Sequence, residues 1–538
     1  MTNKQTVAQL VPVHRAPRFD LTTEAWIPVT DGHRNDTLGI RAVFENAHRL
    51  VGVDSGDALE RYALTRYLIA LSYRLVALSP TVDWEAVIDG DPIPAAAIDS
   101  LIRNIQDQSF LFHPETPFLQ EPRLRELVTT TSSRRDRTAA VEEVTHPYTV
   151  LIPHVPANTN EVWRYETEAR GTLGLSLDEA ARALVVRYFA ATPGNEQQVG
   201  TFGKSMKGTL FPTTGTGHRA THVLRHGRTL AATLLLNHVD QITNPLTSDS
   251  TFGWETPDPA KLSEPLWQYT CSHAATYLAE PGDDDRIRRT LRGPYPGDPT
   301  VWSTAMQVAR DRDPHTIRIP VKNGRDGGPT TQKLRVDTGM TPVRFAHYVH
   351  RQIEAGAALL PGIATSAALT YGRKGEFMSF TTGSFTGGGG SLRIETVNRF
   401  NTDPAAIDLT PAQRRTFVTL ADRIAGATKS ARTYLGDQTA QVAVGPTAPR
   451  SARAAIAERA YALHWDAIDA DLADLLAQAA AGATIQSLDT DAWRNRHVQI
   501  VLNVFDRIIE PYLASRRAAS TAPKARHWLH RTARKAIG

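Results

Sequence analysis

The sequence predicts an α+β protein, with a large mixed N-terminal domain over residues 1–404 and a C-terminal four-helix bundle over 405–538. Three observations predict it. Up to about residue 400, short β-favouring runs bounded by turn residues alternate with amphipathic stretches. After Asn401–Pro404 every periodic segment is helical. A chain of 538 residues is also too long for a single hydrophobic core.

The elements follow in chain order. Phe19–Val29 reads as a short strand and turn closed by Pro28, with a second turn at Asp31-Gly32. Leu59–Leu78 is predicted helical because Leu64, Leu68, Leu71 and Leu75 recur at helical spacing. Leu177–Tyr188 is a second helix, opened by Ser176 as N-cap with Glu179 three residues on. Thr229–Val239 is apolar, of open type. Alternation from Pro320 to Asp337 around the Asn323–Gly328 turn predicts a hairpin. A second hairpin pairs Ser366–Tyr371 with Glu376–Thr381 around Gly372-Arg373-Lys374-Gly375, which would be an exposed basic tip. Gly387–Gly390 reads as a flexible loop.

Four stripes mark the C-terminal helices: Phe417, Leu420, Ile424 and Ala427; Ile456, Ala460, Leu463, Ala467, Asp471 and Leu475; Val501, Val504, Ile508 and Tyr512; and Ala525, Leu529, Ala533 and Ile537. Short connections make an antiparallel bundle the simplest packing.

Composition excludes several classes. Hydrophobic content of 41% with 22% charged residues is that of a globular protein. No apolar run reaches the roughly 20 residues of a membrane span, so no membrane partner is expected. Met1–Leu10 carries no apolar core of a secretory signal, and a cytoplasmic protein is expected. The single Cys271 rules out a disulfide framework or thiolate zinc site and reads as a small buried filler.

Charge is distributed unevenly. Across the 43 residues from Gln197 to Val239 there is no Asp or Glu, in a chain of net charge only +4. The same stretch carries Lys204, Lys207, Arg219, Arg225 and Arg228, four histidines and six glycines. A phosphate backbone would select such a surface; on charge alone a solvated basic face fits as well. The arginine excess, 50 of 60 basic residues, suits bidentate phosphate contacts or follows from GC-rich coding.

Catalytic motifs fail on inspection. Gly203-Lys204-Ser205 mimics the end of a P-loop, but Gln198 stands where its first glycine belongs. Gly203-x-Ser205 is no nucleophile elbow, because Lys207 replaces the second glycine. Asp283-Asp284-Asp285 could hold a divalent cation, or form a charged loop neutralised by Arg286 and Arg288. A carboxylate- or metal-dependent hydrolase and a sequence-indifferent nucleic-acid scaffold remain the alternatives to the reading below.

Four segments carry a resemblance: Trp26-Ile27-Pro28-Val29; Phe112-His113-Pro114-Glu115-Thr116-Pro117-Phe118-Leu119-Gln120; Gly227 through Asn237; and Arg292-Gly293-Pro294-Tyr295-Pro296-Gly297-Asp298-Pro299. In this order, and with a helical C-terminus, the chain resembles the CasA family, the large subunit of the type I-E CRISPR Cascade complex. The resemblance implies a non-catalytic subunit without cofactor. Such a subunit reads the protospacer-adjacent motif of a double-stranded DNA target, largely through the minor groove. It starts unwinding so that the guide RNA can pair, contacts other Cascade subunits, and recruits the helicase-nuclease effector. Minor-groove readout is degenerate, which suffices where base pairing with a guide supplies the specificity.

The resemblance also implies site residues. Its glycine loop falls in Pro193–Gly208, with Gly200 and Gly203 approaching the groove and Lys204 and Lys207 beside them. Its basic finger falls on Arg286, Arg288 or Arg289, and its strand-separating hairpin on Gly372, Arg373, Lys374 and Gly375. The loop that meets the motif and the 5′ end of the guide RNA maps near Ala157–Asn160, where Asn158 and Asn160 could donate to minor-groove acceptors. Paired cysteines of some relatives are missing, so no metal is expected. The basic last helix, with Lys524, Arg526, Arg531, Arg534 and Lys535, reads either as a contact for a displaced strand or neighbouring subunit, or as an exposed face.

Overall fold

The Ala58–Leu78 helix is the axis around which the N-terminal half packs. The computed structural model describes residues 11, 13–126, 146–152, 173–190, 221–295, 298–321, 330–333, 341–354, 378–388, 391–402, 408–484 and 490–536. Asp57 caps the axial helix, accepting from the Leu59 N–H at 2.7 Å. From Tyr62 to Leu75 every residue is buried, not only the leucine stripe. Such a helix needs cover on all sides; the Ala95–Ile105, Leu177–Ala190 and Leu230–Leu236 helices pack against it.

This burial takes two arginines inside, each paired there with a carboxylate. Arg74 donates to Glu255 at 2.9 Å and to the Ser250 carbonyl at 2.6 Å, with its guanidinium 4.4 Å from the Phe252 ring. Arg66 pairs with Asp313 at 3.0 Å. The helix expected after Ser176 is present; the Ser176 N–H donates to Glu179 at 2.9 Å, one half of the capping pattern, while the Ser176 hydroxyl donates to Asp178.

The strands form small antiparallel sheets. Ile27–Thr30 lies between Asn35–Leu38 and Gly52–Val53. Pro28 does not close this strand: it sits inside it opposite Thr37, and the chain turns at Asp31-Gly32, where Gly32 takes a φ of +91°. Ala274–Leu278 pairs with Arg289–Pro294, which also pairs with His146–Pro147. The expected hairpin near Pro320 is Arg318–Val321 against Thr330–Lys333.

The third sheet revises two expectations. Met378–Gly388 runs between Ser391–Thr402 and Thr221–His226, with Ser379 opposite both Asn401 and His226. Gly387 and Gly388 are therefore strand residues, paired with Leu392 and Ser391, and not part of a flexible loop. Ser379–Thr381 has both edges occupied, so backbone pairing with 366–371 is closed to it, as each strand has only two edges. Gly372, Arg373, Lys374 and Gly375 lie outside the described residues.

The C-terminal part is helical: Pro411–Ala443, Arg450–Ala480, Thr490–Ile509 and Arg516–Ala536. Thr410 and Gln413 form a full capping box at its start. Each helix packs on the next, and the fourth returns to the first. The stripes on the first, third and fourth lie in the interior as expected, Tyr512 half-buried and Ile537 outside the described residues. On the second helix the buried line runs Ala460, His464, Ile468, Leu472, while Leu463 is half-buried. Asp471 is buried there and meets the Arg496 guanidinium at 3.2 Å.

The two halves share a hydrophobic cluster, in which Val223, Ile317, Val343 and Phe345 join Phe417, Leu420, Ile468 and Leu472. The Pro342–Glu354 helix makes the connection. Arg344 donates to Asp469 at 2.7 Å with its guanidinium 4.3 Å from the Trp465 ring, while His347 and Arg351 both reach Asp422.

Candidate nucleic-acid interface

The acid-free stretch divides at Thr221. From Thr221 to His226 it is a strand whose outer edge is fully engaged. The Val223 N–H donates to the His315 carbonyl at 2.8 Å and the Ile317 N–H to the Thr221 carbonyl at 3.0 Å. Asn237 completes the edge with its side chain, accepting from the Arg225 N–H at 3.0 Å and donating to the Arg225 carbonyl at 2.7 Å. His222 and Arg225 are each only 1% exposed and His238 is buried against Tyr73, so these three are not part of a phosphate-facing surface. Their polarity serves the interior, a case that charge counting does not distinguish from a basic face. Arg228 is exposed.

Asn158, Asn160, Gly200, Gly203, Lys204 and Lys207 lie outside the described residues. The described residues that flank them are informative nevertheless. His146 and Pro147 pair with Thr290 and Arg289, and the Tyr148 N–H donates to the Arg288 carbonyl at 3.1 Å. On the far side of 153–172, Leu175 and Ile287 exchange two backbone hydrogen bonds of 2.8 and 2.9 Å. Both ends of the segment with Asn158 and Asn160 are thus fastened to the stretch containing Arg286, Arg288 and Arg289. The Leu177–Ala190 helix then leads away toward residue 191, covering about 21 Å at 1.5 Å per residue. The segment with Gly200 and Gly203 re-enters at Thr221, and that with Gly372–Gly375 at Met378, on adjacent strands of one sheet.

The stretch expected to form a basic finger is less basic than its arginines alone imply. Residues 280–289 hold four acids (Glu280, Asp283, Asp284, Asp285) and three arginines, a formal charge of −1. Arg288 grips Asp284 through both terminal nitrogens, Nη1 to Oδ1 at 2.9 Å, and this pairing pulls the Asp284 carboxyl down to about 2. Arg18 pairs with Asp285, and Arg286 donates to the Gly174 carbonyl at 3.1 Å. Gly174 holds a φ of +74°, and a Cβ there would meet the Arg286 Cβ at 2.9 Å. Asp283–Asp285 thus behaves as the neutralised loop. Among the described residues no three His, Cys, Asp or Glu side chains are grouped to hold a metal ion. Cys271 is buried beside Met306, and burial pushes its thiol up to about 12, which leaves it no nucleophile at neutral pH.

A consequence for binding is testable. If Arg288 meets a DNA phosphate, Asp284 competes for it. Asp284→Asn is then expected to tighten duplex binding at low salt and steepen its salt dependence by about one phosphate equivalent. Titrations at several salt concentrations read this directly, and an unchanged slope removes Arg288 from the interface.

Several residues of the segments that carried the resemblance are internal scaffolding. Trp26 is buried, donating to the Leu21 carbonyl at 2.9 Å, with Phe118 edge-on to it. Gln120 bridges two strands, donating to the Leu111 carbonyl and accepting from the Leu278 N–H at 2.8 Å. Gly227 admits no side chain, since a Cβ would fall 2.3 Å from that of Ala232.

Comparison with known proteins agrees with this architecture. The model of the CRISPR-associated protein Cse1 family matches residues 20–325. A curated CRISPR-associated protein CasA/Cse1 of Thermus thermophilus is 30% identical over 251 residues, 46% of this chain and 44% of that protein. The aligned stretch therefore spans less than half of that relative. Among solved structures, Thermus thermophilus CasA (Cse1) superposes with a TM-score of 0.64 at 20% identity, covering 96% of this chain and 99% of that one. A chain of a CRISPR RNA-guided surveillance complex gives 0.61 at 18% identity, covering 95% and 99%. No helix among the described residues is long and apolar enough to cross a membrane. With more than half its length matched by the family model, the chain belongs to the CRISPR-associated Cse1 family.

Proposed function

We propose that this chain is the large, non-catalytic subunit of a type I-E guide-RNA surveillance complex. It reads the motif beside a double-stranded target, begins to open the duplex for the guide RNA, and recruits the helicase-nuclease. Family membership carries the reading, supported by the likeness to a chain of an RNA-guided surveillance complex. In this reading Asn158, Asn160 and the Arg286–Arg289 stretch work as one unit, because the flanks of the first are fastened to the second. Gly200, Gly203, Lys204 and Lys207 form a second unit with Gly372–Gly375, joined through adjacent strands. The glycines admit the duplex backbone and the lysines meet phosphates, so binding weakens steeply with salt. Opening falls to Arg373 and Lys374.

The test uses the assembled guide complex with and without this chain, and target duplexes that differ only in the bases beside the target. Binding that depends on those bases and on the chain is the expected result. Indifference to either overturns the reading and favours a sequence-indifferent scaffold. Reversing Arg373 and Lys374 to Glu is expected to reduce strand opening, reported by a fluorescent base analogue in the first target positions, more than initial duplex binding.

A further inference from the structure

One buried polar network sits under the Thr221–His226 strand. Arg66 Nη1 donates to Asp313 at 3.0 Å and to the Tyr62 hydroxyl at 3.3 Å. The Tyr62 hydroxyl and His222 Nδ1 are 3.2 Å apart, which fits O–H donation to that nitrogen. Thr316 Oγ1 donates to Asp313 Oδ2 at 3.1 Å and stands 3.3 Å from His222 Nδ1. Tyr269 closes the far side, with its hydroxyl 3.0 Å from His315 Nε2 and its ring 4.4 Å below the Arg66 guanidinium. All these groups are buried. Burial works against both charges of the ion pair, yet their attraction wins: Asp313 is held well below the carboxylate range and Arg66 above its own.

The position of the network matters more than its strength. It fixes His222 and, through the loop Asp313–Ile317, the outer edge of the strand that opens at Thr221. The inner edge of that strand holds Ser379–Ser384, six residues of the strand opening at Met378. In this antiparallel pair the two openings lie at opposite ends, roughly 20 Å apart along the strands for the six residue steps from Met378 to Ser384, the partner of Thr221.

We infer that Tyr62, Arg66, His222, Asp313 and Thr316 are positioning residues for motif reading, fixing the spacing between the two chain segments that leave this sheet without touching DNA themselves. The inference rests on the proposed function, in which those segments meet the duplex. Its mechanism is registry: a strand held on one edge and from beneath has one position, and a loosened strand has several.

The experiment uses the full-length chain in the assembled guide complex, with Thr316→Val and Tyr62→Phe as separate variants and Thr316→Ser as the conservative control. The valine and phenylalanine variants each remove a hydroxyl with little change of shape, and the serine variant keeps it. The readout is motif discrimination, the ratio of duplex affinities with and without the motif, measured well below each variant's melting temperature. Discrimination is expected to fall roughly 3- to 30-fold in the valine and phenylalanine variants, and to recover in the serine variant. The salt slope should stay constant, since no phosphate contact is removed. Variants that melt earlier but discriminate as the parent does overturn the inference, leaving the network a purely structural feature. A parent complex that ignores the motif overturns the proposed function and this inference together.

Discussion

Lowering the pH from 7 to 5 is expected to destabilise the protein by on the order of 8 kcal/mol, through histidines that the fold keeps neutral. Burial depresses four of them: His238 and His464 to about 3, His315 and His497 to about 4. His14 shifts in the same direction. Among the described residues the acids that favour protonation of these rings are Asp313 near His315 and Glu280 near His14, and burial outweighs both. His464 and His497 face each other edge-on at 5.0 Å between the second and third C-terminal helices, and none of their ring nitrogens has a hydrogen-bond partner among the described residues.

The sign follows from linkage. In the unfolded chain each histidine binds a proton near pH 6.5, whereas in the folded protein it stays neutral until pH 3 to 4. Between these limits the unfolded state holds more protons, so stability is present above pH 6.5 and is lost as pH falls. Each group contributes about 1.4 kcal/mol per pH unit, hence about 2 kcal/mol at pH 5. Four such groups approach the whole stability of an ordinary domain, about 5–15 kcal/mol. Glu60, Asp469 and Asp471, whose carboxyls burial raises, work in the opposite direction, since the folded state takes up their protons first as pH falls. Urea unfolding at pH 7, 6 and 5 measures the slope. The double variant His464→Phe, His497→Leu should lose about half of it, and a parent protein equally stable at pH 7 and 5 contradicts the assignment.

The second large effect concerns Arg66 and Asp313. Asp313→Ala leaves a buried guanidinium without its carboxylate, and Arg66→Ala the reverse. Each is expected to cost about 3–5 kcal/mol, because the remaining charge keeps its desolvation penalty and loses its partner. The double replacement Arg66→Met, Asp313→Leu should cost less than the sum of the two, since it leaves no charge stranded. A double-mutant cycle in urea reads the coupling. Strict additivity would mean that the two groups do not act as a pair.

Legibility in the sequence followed the range of the interactions. The Leu64–Leu75 stripe, the helix after Ser176 and the C-terminal helices rest on spacing within one segment, and the structure contains them. The mixed N-terminal part with its C-terminal helical region was legible for the same reason. What failed depended on partners far along the chain. Pro28 is a stop by local rules, because its strand partners, Thr37 on one side and the Val53 strand on the other, are supplied by later turns. Gly387 and Gly388 carry no strand signal of their own, since glycine has none, and their pairing comes from Leu392 and Ser391. The charge of Arg225 and His222 was visible in the sequence but not their burial, which depends on Asn237 and on residues 315–317.

The candidate site divides in the same way. The arginines at 286, 288 and 289 were legible, and Asp284 lies only four residues from Arg288. The Arg286 contact with Gly174 and the Arg18 pair with Asp285 bridge more than a hundred residues. Arg66 and Arg74 gave no local signal beyond a cation within an apolar helix. In hindsight two arginines eight residues apart on a helix otherwise fit for burial call for buried acceptors, and Asp313 and Glu255 are those acceptors.

The most direct test of the account is amide exchange on the assembled guide complex, with and without a motif-bearing target duplex. If the two sheets present the DNA-reading segments, protection on target binding should concentrate in residues 153–172, 191–220, 286–289 and 355–377. Exchange in the axial Ala58–Leu78 helix should stay as it was. Protection absent from all four stretches while the complex holds its target would contradict the account, whatever the family of the chain.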